Sequence, residues 1–100
     1  MKRHIYYAYI MASQRNGTLY IGMTNSIAHR ANQHRTGRIE GFTRRYGVKL
    51  LVWFEAHQYV WDAIRRENSL KKWPRKWKLE LIERVNPTWR DLYPDLPNLL

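Results

Sequence analysis

The sequence has no cysteine, which removes disulfide frameworks and thiolate metal centres and points to a reducing, cytoplasmic setting. Acidic residues are few: eight Asp and Glu stand against eighteen Lys and Arg, a formal charge of +10 spread along the whole chain. A field of that sign draws phosphate backbones first and anionic membrane surfaces second. There is no long hydrophobic run. The apolar stretch near the start, after the basic Met1 to Arg3, is too short to span a bilayer and lacks a small-residue cleavage signal, so it reads as a strand. Repeats, low-complexity segments and linker-like stretches are also missing, and one hundred residues suffice for a single modest core.

What is abundant is aromatic. Five Trp and seven Tyr are interleaved with the basic residues, an arrangement that suits stacking on unpaired or distorted nucleic acid and equally suits filling a small core.

The chain is organised around Tyr20 to His34, which reads as a strand running directly into a helix. Tyr20 and Gly22 share a strand face, and Arg30 and His34 lie one turn apart on a helix. Thr24, Asn25 and Ser26 supply oxygens for the unpaired first N–H groups, and Gly37 supplies a left-handed stop. Upstream, residues 4–12 read as a central strand, apolar on both faces, and Asn16-Gly17 marks a hairpin. An even loop without a bulge would place Tyr7, Tyr9 and Tyr20 on one face; an odd loop would separate them.

The first helix, about 26–36, has only a thin apolar stripe of Ile27 and Ala31. A glycine-bracketed segment, Gly41 to Gly47, follows as a short helical turn or loop. Arg44 and Arg45 beside Thr43 and Tyr46 either hold phosphates or form a solvated charged loop. Residues 49–56 read as a third strand buried on both faces, and 58–73 as a helix with Val60, Ala63, Ile64 and Leu70 on its apolar stripe. Glu67 falls inside that stripe, where an unpaired carboxylate is costly. It therefore pairs with Lys71 or with Arg30, or it holds a divalent cation; a lone carboxylate suits Mg²⁺, which keeps most of its waters. Pro74 opens a last helix to about Val85, expected to pack through Trp77, Leu81 and Val85, with Arg75, Lys76 and Lys78 at the end where the helix dipole prefers acids. Asn86-Pro87 stops it. The remainder reads as a brief turn near Asp91 to Tyr93 and an extended end, with Trp89, Leu92 and Tyr93 docked on the core.

Together these residues resemble the GIY-YIG nuclease superfamily. Tyr20-Ile21-Gly22 matches the second half of its signature, and Tyr7-Ala8-Tyr9 stands where the first half is expected, without its Gly and Ile. Arg30 and His34 match the arginine and histidine of the family's first helix, and Glu67 its metal-binding glutamate. The closest likeness is to the small stand-alone bacterial group described as predicted endonucleases with a URI domain. The resemblance implies an α/β (α+β) domain, a three-stranded antiparallel sheet flanked by helices in the order β-β-α-(short α)-β-α-α, spanning 1–93 with 94–100 as a tail.

It also implies a metal-dependent DNA endonuclease of low sequence specificity. Tyr9 or Tyr20, with Tyr9 favoured, would help deprotonate water once nearby cations lower its pKa. Arg30 would stabilise the phosphate, His34 would orient groups or relay a proton, and Glu67 would hold Mg²⁺ or Mn²⁺. Arg35, Arg44, Arg45, Lys71 and Lys72 are the expected DNA contacts, Arg44 or Arg45 standing in for a basic residue that the family has where this chain has Thr43. Branched, flapped or damaged DNA is the expected substrate, in repair or recombination; an activating protein subunit is left open. The rival reading is a nucleic-acid-binding module without cleavage of its own. A ribosome-associated or membrane-surface protein explains the charge but leaves Glu67 without a role. His4, His29 and His57 do not complete a metal set with His34, and Asn86 either matches the family's late asparagine or only stops the helix.

Overall fold

The computed structural model describes residues 4–38 and 41–100; the basic start at 1–3 and part of the segment preceding Gly41 lie outside them. Strands β1 (Tyr6–Ala12), β2 (Leu19–Thr24) and β3 (Leu50–His57) form one antiparallel sheet in the order β2-β1-β3. Helices α1 (Ile27–Arg35), α2 (Phe42–Arg45), α3 (Val60–Lys72) and α4 (Arg75–Val85) follow the expected order. This is the α+β sheet-and-helix architecture that the sequence implies.

β1 is central because its residues are apolar on both alternating faces, and Tyr7 through Ala12 are all buried. Tyr7, Tyr9 and Met11 join Leu51 in a core closed by Ile27 and Ala31 of α1. Ala8, Ile10 and Ala12 join Val52 and Trp53 in a second core closed by Leu70 of α3 and Ile82 of α4. The hairpin pairs Tyr9 with Gly22 and Met11 with Tyr20 across the even loop at 13–18, so Tyr7, Tyr9, Tyr20 and Gly22 do share a face. Asn16 alone takes a left-handed φ there, 58°, while Gly17 does not. The Arg75 guanidinium donates to the carbonyls of Asn16 and Gly17 at 2.7 and 2.6 Å. This arginine, read from sequence only as charge at a helix start that prefers acids, fastens the hairpin tip to α4.

α1 starts differently from expectation. Ser26 makes no side-chain cap; the Thr24 hydroxyl instead accepts the Ser26 N–H at 3.1 Å. The stop is as read: Gly37 sits at φ 70°, and Arg38 N–H donates to the Gln33 carbonyl at 3.0 Å, closing a Schellman turn. α3 ends at Trp73, which the following Pro74 holds in extended backbone with ψ 146°.

Two elements depart from the sequence reading. In α4, Trp77 and Val85 are exposed, and Ile82 is buried with Leu79 and Leu81 packed beside it. The helix is rotated because Trp77 packs edge-on against Trp73 at 5.9 Å in preference to the core. The end of the chain is not extended. A 3-10 turn (Tyr93–Asp95) leads into a one-turn helix α5 (Leu96–Leu99), since Pro94 and Pro97 occupy first-turn positions that need no N–H donor. Leu92 and Leu96 then stand one turn apart and both enter the core of Tyr9 and Ile27.

Asn86 ties this segment down. The pairing of Ile10 with Trp53 and of Met11 with Leu51 leaves Val52 as a bulge residue. Asn86 Nδ2 donates to the Val52 carbonyl at 3.1 Å and to the Arg90 carbonyl at 2.9 Å, while its Oδ1 accepts from the Arg90 N–H at 3.3 Å. Every polar position of its amide is engaged structurally. Between its partners Trp89 is buried at a left-handed φ of 59°, a conformation costing about 1–2 kcal/mol for a residue with a Cβ. Asn86→Ala leaves two carbonyls short of a donor and releases that turn. A stability loss on the order of 2 kcal/mol or more is expected by urea denaturation, with wild-type-like stability counting against this role.

Candidate active site

Gly22 creates the site by being small. Tyr9 lies across it from the neighbouring strand, so a Cβ at position 22 would stand 2.5 Å from the Tyr9 hydroxyl and 2.6 Å from its Cζ. The phenol thereby crosses β2 and meets α1, where its oxygen is 3.2 Å from His34 Nε2. Tyr20, two residues before Gly22 on the same face, packs its ring 5.3 Å from the His34 ring and 6.3 Å from that of Tyr9. Three side chains predicted from spacing alone are thus in direct contact.

Arg30 lies one turn before His34 on α1, beside a hollow of about 230 Å³ lined also by Tyr6, Met23, Thr24, Asn25 and Val60. Its Nε is buried and has no hydrogen-bond partner among the described residues. Glu67 comes from α3, which packs on β1 and β2, and its carboxylate keeps one-fifth of its surface exposed while facing Lys71 Nζ at 3.7 Å. The pairing with Lys71 is the structural role considered for this glutamate. Both charges reach the phenol: burial raises the Tyr9 pKa well above the ordinary range, Tyr20 and Glu67 push in the same direction, and Arg30 offsets part of it. This reverses the expectation of a depressed phenol, because in the protein alone one arginine does not outweigh burial and two repelling neighbours.

His34 is pulled the other way. Burial lowers its pKa to about 4, and Arg30 adds to the effect. At neutral pH the contact is therefore between two uncharged groups, with the Tyr9 O–H able to donate to Nε2 and Nδ1 carrying the imidazole proton. Nδ1 is buried without a partner among the described residues.

The predicted nucleic-acid contacts divide. Arg35 is exposed but tied to the end of the chain, with Nε 3.5 Å from Asp91 Oδ2 and its guanidinium 4.5 Å from the centre of the Tyr93 ring. Lys71 faces Glu67, and Lys72 is exposed. Arg44 and Arg45 line a hollow of about 860 Å³ with Gly41, Phe42 and Tyr46. Thr43 is buried and does not offer its hydroxyl beside them. His4 and His29 are exposed, and His57 sits 2.8 Å from Glu55, so none of the three joins His34.

Sequence reasoning passed over Phe42, whose ring lies 6.4 Å from that of Tyr20 and 4.8 Å from that of Tyr46. The signal was an aromatic residue in a glycine-bracketed, arginine-rich turn. Lys78 was read only as charge at a helix start; it shares a hollow of about 300 Å³ with Tyr20, Phe42 and Lys71.

Among the described residues no group of three or more His, Asp or Glu side chains is placed to hold a metal. That excludes a Zn²⁺-type ligand set there. A single, partly exposed carboxylate with only a loose lysine contact does fit a hard cation that keeps its waters, and Glu67 is that carboxylate.

Two outcomes follow from this geometry. Gly22→Ala has no backbone reason to fail, so its cost is the collision with Tyr9. A loss of about 1–3 kcal/mol by urea denaturation and a shifted His34 ring resonance are expected; an unchanged resonance contradicts the crossing. For His34, the unfolded chain takes up a proton near pH 6.5 and the folded chain only near pH 4. Its contribution to stability is complete above pH 6.5 and is lost as the pH falls through that window. Denaturation midpoints across the window should fall with pH in the wild type and less steeply in His34→Gln.

Comparison with known proteins agrees with this arrangement. The GIY-YIG catalytic domain family matches residues 5–80, which hold all five of these side chains. The UPF0213 protein of Oceanobacillus iheyensis is 35% identical over 78 residues, covering 78% of this chain and 90% of its own length. The UPF0213 protein of Clostridium perfringens is 37% identical over 76 residues, covering 76% of this chain and 81% of that protein. The solution NMR structure of the UPF0213 protein from Bacillus halodurans superposes with a TM-score of 0.52 at 28% identity, covering 82% of this chain and 86% of the other. With this sheet and these helices, and with the family's domain matching residues 5–80, this chain belongs to the GIY-YIG domain family.

Proposed function

We propose that the domain binds nucleic acid, with DNA as the partner, by seating a backbone phosphate in the cleft between Arg30 and Glu67. The observation carrying this reading is the Arg30 side chain, which lines an open hollow and whose buried Nε lacks a hydrogen-bond partner among the described residues. A desolvated guanidinium donor of this kind is costly unless an acceptor arrives, and a phosphate oxygen meets it in the geometry that arginine favours. The net charge of +10 provides long-range attraction, and Lys71, Lys78, Arg44 and Arg45 extend positive charge beyond the cleft. The phosphate contacts position the chain on DNA without reading its sequence.

Phosphodiester hydrolysis is the finer form of the same reading, supported by the Tyr9 and His34 contact. A phenol that stays protonated is a poor base alone. Hydrogen-bonded to a neutral imidazole, it can accept a proton from an attacking water while passing its own to His34 Nε2. Burial is the main reason the imidazole pKa is low and Arg30 the lesser one; a phosphate beside Arg30 screens only that lesser part, which makes His34 a somewhat better acceptor. Arg30 stabilises the charge building on the phosphate. Glu67 would hold Mg²⁺ or Mn²⁺, which supplies polarisation of the phosphate and charge for the leaving oxygen. The setting that accompanies this function is the bacterial cytoplasm, alongside the nucleoid. No helix among the described residues is long and apolar enough to cross a membrane.

Binding without autonomous cleavage is favoured over hydrolysis by two observations: Glu67 already faces Lys71, and the Tyr9 phenol is held protonated. Nicking of supercoiled plasmid and cleavage of labelled flap and junction DNA, with Mg²⁺, Mn²⁺ or chelator, separate the two. Salt-dependent binding with no cut product from wild-type protein in either metal identifies a binding module. Metal-dependent cleavage that drops at least 100-fold in Glu67→Ala, with binding retained, identifies the nuclease. Absence of DNA binding at moderate salt, or Arg30→Ala binding as tightly as wild type, overturns the phosphate seat.

A further inference from the structure

Phe42, which opens the four-residue helix α2, and Tyr46, which follows its end, are large aromatic side chains left 47% and 49% exposed. Neither is stranded at random. Their rings pack on each other at 4.8 Å, and Phe42 continues to Tyr20 at 6.4 Å and through it to His34 at 5.3 Å. A line of π-faces therefore leaves the buried Tyr9 and His34 contact and ends in solvent. Phe42 forms the ridge between two open hollows, one of about 860 Å³ with Arg44, Arg45 and Tyr46, the other of about 300 Å³ with Tyr20, Lys71 and Lys78. The Arg45 guanidinium lies 5.6 Å from the centre of the Tyr46 ring, so a cation stands at the outer end of the line.

Exposed aromatic faces flanked by cations are the opposite of what a double helix needs, since its bases present no free face. They are what unpaired bases need: stacking surfaces for the rings and positive charge for the phosphates between them. Resting on the proposed function, we propose that Phe42 and Tyr46 form a stacking platform for unpaired nucleotides of a DNA strand adjoining the phosphate held at Arg30. The platform selects DNA with a single-stranded overhang or flap over continuous duplex. The specificity is for strand state, not for sequence, because each base has a face to stack and no base-edge readout is involved.

Fluorescence anisotropy tests this with three labelled DNAs at one fixed salt concentration: a blunt duplex, the same duplex with a six-nucleotide overhang, and that overhang made of abasic units. The abasic strand keeps the phosphates and removes the rings. The wild type should bind the overhang about 5- to 100-fold tighter than the blunt duplex, and the abasic overhang should lose most of that gain. Phe42→Ala combined with Tyr46→Ala should bring the ratio of overhang to blunt affinity close to one. Phe42→Trp should preserve it; both variants are checked for an unchanged thermal midpoint, which their exposure makes expected. Equal wild-type affinity for blunt and overhang DNA, an abasic overhang as good as the natural one, or a preference that survives the double alanine variant each overturns the platform while leaving the phosphate seat standing. Failure to bind any of the three DNAs overturns both.

Discussion

The contact between the Tyr9 phenol and His34 Nε2 is made across a strand, and it exists only where the intervening residue has no side chain. Gly22 meets that condition, and much of the local architecture depends on it. The phenol crosses the face of β2 to α1, the imidazole is drawn out of water, and Tyr20 closes over both. Burial then fixes the proton states. Tyr9 keeps its proton and His34 stays neutral, so two polar groups share one hydrogen bond in a region where neither is readily charged. Charge enters from outside this pair, positive from Arg30 on α1 and negative from Glu67 on α3.

That division explains how a small domain can combine a core with a polar cleft. The sheet buries apolar groups on both faces, α1 closing the side of Tyr9 and Met11 and α3 the side of Ala8 and Ile10. Arg30 and Glu67 both influence Tyr9 although they belong to different helices. Their opposed effects leave room for an incoming anion to change the balance. A phosphate near Arg30 weakens its influence on His34, and a cation near Glu67 weakens that carboxylate's influence on Tyr9. The same phosphate also removes the one influence that lowers the Tyr9 pKa, so an anion raises both groups while a cation lowers Tyr9, with burial the larger cause throughout.

Much of this was legible in the sequence because it rests on short-range periodicity. Residues two apart on a strand and four apart on a helix, together with an even hairpin loop, are enough to gather Tyr9, Tyr20, Gly22, Arg30 and His34. Glu67 stood out as a carboxylate inside an apolar stripe. What was illegible depends on tertiary choices. The exposure of Trp77 follows from its packing on Trp73, which helical spacing does not report. The engagement of Arg35 depends on Asp91 from the far end of the chain. The direction of the Tyr9 pKa shift depends on depth of burial, for which a sequence has no direct signal. Phe42 acquires meaning only when Tyr20 is seen beside it.

Asp91 also has a consequence for the margin of the sheet. Its Oδ1 accepts from the Leu51 N–H at 3.1 Å and from the Tyr93 N–H at 3.1 Å, while Leu92 N–H donates to the Leu51 carbonyl at 2.8 Å. β3 is an outer strand, and at Leu51 its ladder groups are already spoken for by the returning chain. A second molecule seeking to extend the sheet by edge-to-edge pairing meets a sealed border at that point. The last dozen residues thus act as a guard against fibre-like self-association, which lets a strongly apolar strand lie at the rim of so small a protein.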